Sequence, residues 1–150
     1  MKIHVEIDDS LTEPVVTIKA ASNDPELGRI QQLLTAPANQ TLACYQDATE
    51  HFIRLGDILF IETDGRNLQV HTADNIYTNK HSLHELLGVL PGFFLQIAKS
   101  TVVNLNQVAA VNHSIANCSI GFHNSYKQVY ASRRYYKLLL ERLNEMRSLS

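Results

Sequence analysis

One hundred and fifty residues, 45% hydrophobic and 19% charged, make one globular domain or one domain with a small appended piece, long enough to bury a core without staples. No signal-peptide apolar region opens the chain, and no segment reaches the roughly eighteen consecutive apolar residues of a membrane helix, so a soluble cytoplasmic protein is expected. The net charge of −2 hides a split: Met1–Gly92 holds six basic and thirteen acidic residues (−7), and Phe93–Ser150 seven basic and two acidic (+5), which leaves the C-terminal part suited to a polyanion.

Ile3, Val5 and Ile7 alternate with polar residues, and after Pro14 so do Val16, Ile18 and Ala20, which predicts two half-buried strands. Asn23-Asp24-Pro25 is a helix start, with Leu27, Ile30, Leu33 and Leu34 at helical spacing and Pro37 as the stop. This strand-strand-helix piece cannot bury its own faces. From Leu42 the pattern is β, in short runs: Leu42–Tyr45, His51–Leu55, Ile58–Glu62, Asn67–His71 and Ile76–Asn79. Asp64-Gly65 marks a hairpin tip at Thr63–Asn67. Ser82-Leu-His-Glu85 fits a capping box opening a short helix with Leu83, Leu86 and Leu87, ended by Gly88 and Pro91-Gly92.

The stretch Phe93–Asn104 supplies one or two strands. Lys99 and Ser100 interrupt its apolar run, and neither is normally buried without a partner, so Ala98–Thr101 is expected to be a kink or loop pushing a cation outward. Val108–Val111, Ile115–Phe122 and Gln128–Ala131 follow as strands, with His123-Asn124-Ser125 as a turn. A final helix starts at the N-cap Ser132, with Leu138, Leu139, Leu143 and Met146 as its apolar face. Arg133 and Arg134 stand in its first turn, where cations oppose the helix dipole by about 0.3–1 kcal/mol each. A local rule broken in this way points to function.

Motifs for catalysis and cofactors are missing from the sequence. There is no Gly-rich phosphate loop, and Ser100 beside Lys99 lacks the spacing of acyl-transfer enzymes. Asp57, Glu62 and Asp64 fall in strand and turn, where solvated edges are expected. None of the seven histidines stands in a His-Glu-x-x-His frame, and His81 and His84 lack further ligands at metal spacing. Cys44 and Cys118 read as reduced, buried thiols. No enzyme, metal, cofactor or small-molecule substrate is expected.

Four phrases in order resemble the LytTR DNA-binding domain: Gly56–Thr63, Leu83–Leu87, Phe94–Leu105 and Ser132-Arg-Arg-Tyr-Tyr-Lys137, within Thr49 to Leu143. The resemblance implies a mainly β (α+β) bacterial module of small antiparallel sheets with short helices. In such modules loops rather than a recognition helix enter successive major grooves, and paired direct repeats are commonly bound as dimers to regulate transcription. Carried onto this chain, the DNA-binding residues are Arg66 and Asn67 at the hairpin tip, Lys99 and Ser100 in the loop, and Arg133, Arg134 and Lys137 at the last helix. Many relatives have His-Arg-Ser where this chain has Ala98-Lys99-Ser100. A lysine keeps a phosphate contact but loses the fork that reads guanine, so base reading is expected to rest on Arg66, Asn67 and Arg134.

Residues 1–46 are expected to form a regulatory or dimerisation piece and residues 47–150 the DNA-binding domain. The N-terminal piece resembles the leader of short members without a receiver domain. It would dimerise the module or be held by a partner, such as a membrane protein. The competing expectation is a protein-binding adaptor working through that acidic piece.

Overall fold

Antiparallel hairpins account for most of the fold. The computed structural model describes residues 2–34, 40–114 and 117–146, in two compact units, Met1–Leu34 and Thr35–Ser150. In the larger unit β1 (Thr41–Gln46) pairs with β2 (Thr49–Arg54) around Asp47, whose φ of 56° a short polar side chain tolerates. β3 (Phe60–Thr63), β4 (Leu68–His71) and β5 (Ile76–Asn79) form a meander. Phe93–Asn104 contributes two strands, β6 (Phe94–Ala98) and β7 (Thr101–Asn104), with Lys99 and Ser100 as the turn between them. These seven strands make one antiparallel sheet in the order β2-β1-β5-β4-β3-β7-β6. β8 (Val108–His113), β9 (Cys118–Phe122) and β10 (Gln128–Ala131) make a three-stranded sheet, and Asn124, at φ 57°, lies in the turn before β10. The expected start of the ninth strand at Ile115 lies outside the described residues.

The larger sheet is covered on both faces, so its middle strands lose the simple alternation of a half-buried strand. Phe60, Leu95, Ile97 and Val103 join a core with Ile120, Phe122, Val129 and Leu139, whereas Ile61, Val70, Phe94 and Val102 join another with Leu83 and Leu86. Neighbouring residues on one strand thus enter different cores. Leu83 and Leu86 belong to α2 (Leu83–Leu87), and Leu139 to α3 (Arg133–Glu145). Leu139 is fully buried, worth about 1.5–3 kcal/mol of apolar transfer. Of the apolar face expected for α3, Leu139 is buried and Leu143 partly so, but Leu138 and Met146 are exposed. Tyr136, three residues before Leu139, completes the face instead.

Asn104 closes the central stretch. Its Nδ2 donates to the Ile58 carbonyl at 2.9 Å and its Oδ1 accepts from the Asn106 amide at 2.9 Å, so a fully buried amide ties β7 to the segment before β3.

The smaller unit departs from expectation. α1 (Glu26–Leu34) forms, with the Asp24 carboxylate accepting from the Glu26 amide at 2.8 Å, but neither predicted strand does. The Leu11 amide donates to the Asp8 carbonyl at 3.2 Å, a turn that could open a hairpin. Continued in that register, Glu6 would face Glu13, and Val5 would face Pro14, which has no N–H to give. Alternation announced strands for which the unit offers no good partner. The expected stop of α1 at Pro37 lies outside the described residues. Thr41–Gln46 belongs to the seven-stranded sheet, so compactness divides the chain before the expected boundary at residue 46.

Candidate nucleic-acid interface

Three exposed stretches singled out in the sequence are joined by backbone hydrogen bonds. The Thr63 amide, at the base of the β3–β4 tip, donates to the Ser100 carbonyl at 3.0 Å. The Ser132 amide, before α3, donates to the Ile97 carbonyl at 2.9 Å. The Lys99-Ser100 turn is therefore fastened between the hairpin tip and the start of the helix. Arg66, Asn67, Lys99, Ser100, Arg133, Arg134 and Lys137 are all exposed.

The hairpin tip and the β6–β7 turn are each held by local contacts. At the tip Gly65 has a φ of +106°, a conformation that side-chain-bearing residues rarely adopt. One oxygen of the Asp64 carboxylate accepts from the amides of Arg66 at 3.4 Å and Asn67 at 3.2 Å, and the other from Gln69 Nε2 at 3.3 Å. Asp64 thus holds the tip while the Arg66 side chain faces solvent. In the β6–β7 turn, Gln96 Nε2 donates to the Lys99 carbonyl at 3.4 Å beside a register shift between Gln96 and Ala98. Such an irregularity bends the strand and re-aims the side chains that follow.

At α3 the Ser132 backbone is extended, as a cap requires, yet its side chain makes no capping bond. The Tyr135 amide donates back to the Ser132 carbonyl at 3.0 Å, so among the described residues the amides of Arg133 and Arg134 and the positive end of the dipole are left to an approaching anion, and the two arginines add cations. The Arg134 guanidinium lies 5.6 Å from the Tyr135 ring centroid, within cation–π range. Lys137 lies one turn beyond Arg133 on the same side of the helix. His113 on β8 hydrogen-bonds the Tyr136 hydroxyl, bracing this first turn from the smaller sheet. That brace joins residues far apart in the chain, so no local pattern announces it.

Structure also sorts the cations of the basic half. Lys127 Nζ donates to the Thr72 carbonyl at 3.0 Å, the Asn75 carbonyl at 3.2 Å and His71 Nδ1 at 3.3 Å, and Arg142 donates to the Gly92 carbonyl. Both serve the fold. Lys99, Arg133, Arg134 and Lys137 are in no ion pair among the described residues. His71 stacks on Phe60 with centroids 4.1 Å apart, and its Nε2 lies 3.0 Å from Glu62 Oε1. Burial pushes its imidazole below the ordinary 6.5, Lys127 adds to that, and Glu62 opposes it. The carboxylates of the expected acidic cluster have separate structural partners: Asp57 with Arg54 at 3.0 Å, Glu62 with His71, and Asp64 with the tip amides. Both cysteines are buried and free, and burial raises both thiols, Cys44 to about 11.

Residues 49–144 match the LytTr DNA-binding domain. The chain belongs to the LytTR family. It is a DNA-binding protein, and the mainly β architecture is that of the family. The fold is similar to a solved LytTr DNA-binding domain from a Bacillus cereus methyl-accepting/DNA response regulator, with a TM-score of 0.61 at 20% identity over 67% of this chain and 96% of that one. Nearly the whole chain is similar to uncharacterized HTH-type transcriptional regulators of Staphylococcus aureus. Identity to the protein of strain NCTC 8325 is 28% over 145 residues, covering 96% of this chain and 99% of that one, and identity to the protein of strain MRSA252 is 27% over the same coverage. Among the described residues of this LytTR chain no two helices are consecutive: five strands separate α2 from α3. Within the described residues, no helix is long and apolar enough to cross a membrane.

Proposed function

We propose that this LytTR protein is a cytoplasmic transcriptional regulator that binds repeated sites as a homodimer, reading successive major grooves through loops. Arg66 and Asn67 at the hairpin tip and Arg134 at the helix start read base edges, where an arginine fork can take guanine O6 and N7 together. Lys99, Ser100, Arg133 and Lys137 position the protein on phosphates. The observation that carries this reading is the pair of backbone hydrogen bonds, Thr63 to Ser100 and Ser132 to Ile97, which lets three groups of side chains approach a duplex as one preformed surface. Its relatives named as transcriptional regulators share nearly the full length, N-terminal unit included. That unit serves dimerisation or capture by a regulatory partner, a membrane protein being one candidate, and no catalytic role is assigned to the chain.

The test is selection from a pool of random duplexes at about 150 mM salt, with wild type and Arg134→Ala in parallel. A repeated motif that emerges for wild type and fades for the variant is expected. Failure of wild type to enrich any motif, while binding every duplex alike, would remove sequence-specific regulation.

A further inference from the structure

In the smaller unit Ile3, Val5 and Ile7 are 81%, 76% and 85% exposed, on backbone that belongs to no strand. Among the described residues, the turn and loop hydrogen bonds of this unit join Leu11 to Asp8, Asp24 to Ala21 and Leu27 to Asp24, and none engages Ile3–Ile7. A segment of alternating apolar side chains that lies in no strand and makes no backbone hydrogen bond among the described residues has the pattern of a strand that lacks a partner. Its own chain offers a poor one, because the Asp8–Leu11 turn sets Glu6 against Glu13 and Val5 against Pro14.

A second copy of the same segment is a far better match. Antiparallel pairing centred on Val5 sets Val5 against Val5 of the other copy, Ile3 against Ile7, His4 against Glu6, and Lys2 against Asp8. On one face every apolar residue meets an apolar residue, and on the other every carboxylate meets a basic side chain. Parallel in-register pairing would stack Lys2 on Lys2 and Glu6 on Glu6, so charge also selects the orientation. The Ser10 amide and hydroxyl donate to Asp8 Oδ1 at 3.0 and 2.6 Å and hold that carboxyl below its usual range, which fixes one end of the charge pattern.

We infer that Lys2–Asp8 is a homotypic β-interface, through which two copies of this chain pair antiparallel about Val5. The contact is isologous, as a closed dimer requires. It names the surface for the dimer proposed above and rests on that reading. Leu11, Val15 and Val16 line, with Ile3, Val5 and Ile7, a groove of about 620 Å³. That groove offers apolar surface to a two-stranded ribbon that would be marginal alone in water.

Sedimentation of the full chain over a range of concentrations tests the interface. Ile7→Asp should raise the dimer dissociation constant about a hundredfold, and His4→Glu about tenfold through two symmetry-related pairs. The double variant H4E/E6K should return to within about threefold of wild type, because it exchanges the partners across the two-fold axis. Val5→Cys should cross-link copies under mild oxidation, and Cys44 and Cys118, both buried, do not compete. Ile7 is exposed and outside any strand, so its variant keeps the fold. A dimer indifferent to all these changes overturns the interface and leaves the dimeric regulator standing. A chain monomeric at every concentration removes both.

Discussion

Two helices of this protein begin on a serine in nearly the same conformation and end the resemblance there. Ser82, before α2, has φ −79° and ψ 159°, and Ser132, before α3, has φ −79° and ψ 156°. The Ser82 hydroxyl accepts from the Glu85 amide at 3.1 Å, and the Glu85 carboxylate complements the dipole and takes His81 Nδ1 at 2.9 Å. That end is closed. Ser132 makes no side-chain cap and is followed by two arginines. Relative to the α2 solution, the start of α3 forgoes about 1 kcal/mol of capping and bears about 0.3–1 kcal/mol for each cation. A phosphate would reverse both deficits, since it accepts from first-turn amides and neutralises the arginines. The same start signal thus serves stability in one helix and leaves the other without a side-chain cap, as the proposed phosphate contact requires.

The sharpest way to break this comparison is to remove both cations at the open end. Arg133→Ala with Arg134→Ala should weaken binding to the selected site about a hundredfold. The melting temperature should stay level or rise, because the substitutions relieve dipole repulsion. Titration of labelled duplex together with thermal unfolding measures both. Lost affinity accompanied by a lower melting temperature would make the arginines structural.

Lys99→Ala comes next in size. The Lys99 side chain is exposed, and the turn it occupies is held by backbone and Gln96 contacts rather than by its ammonium. A loss of about five- to tenfold is expected at every duplex alike, with the salt slope shallower by about 1. A changed preference at one base position, with affinity elsewhere intact, would move Lys99 from positioning to reading.

How far the sequence foretold these features follows from the range of the forces involved. The hairpin tip, the interrupted apolar run and the arginines after Ser132 are legible because they rest on local chemistry. Asp64-Gly65 makes a turn, Lys99 and Ser100 resist burial, and cations contradict a helix start. What fastens them together is not local: Thr63 reaches Ser100, and Ser132 reaches Ile97. Lys127 looked like any other cation until the fold placed it against the Thr72 and Asn75 carbonyls. The N-terminal strands failed for the converse reason, since alternation is local but a strand needs a partner, and Glu13 and Pro14 spoil the nearest one. Residue roles at the DNA surface came from the family resemblance, and the substitution series above is what decides them.

The comparison can be sharpened at the serines themselves. Ser82→Ala should cost about 1 kcal/mol of stability, the usual worth of a side-chain cap, and leave DNA affinity unchanged. Ser132→Ala should cost no more than about a few tenths, because there is no capping bond to lose. Denaturant unfolding of the two variants side by side checks this, and equal losses would show that Ser132 caps its helix in solution after all.

The smallest effect is one of pH. His81 and Ser82 hold the Glu85 carboxyl below its ordinary 4.5, with burial opposing weakly. A carboxyl depressed in the folded state contributes stability that is present above 4.5 and is lost as pH falls through the folded value. Glu85→Gln removes this contribution without removing the Ser82 cap, so wild type should be the more stable protein at neutral pH and the two should converge well below 4.5. If the gap between wild type and Glu85→Gln fails to close in acid, the bonds of His81 and Ser82 to the carboxylate do not stabilise the start of α2. The closed end would then rest on the Ser82 hydroxyl alone.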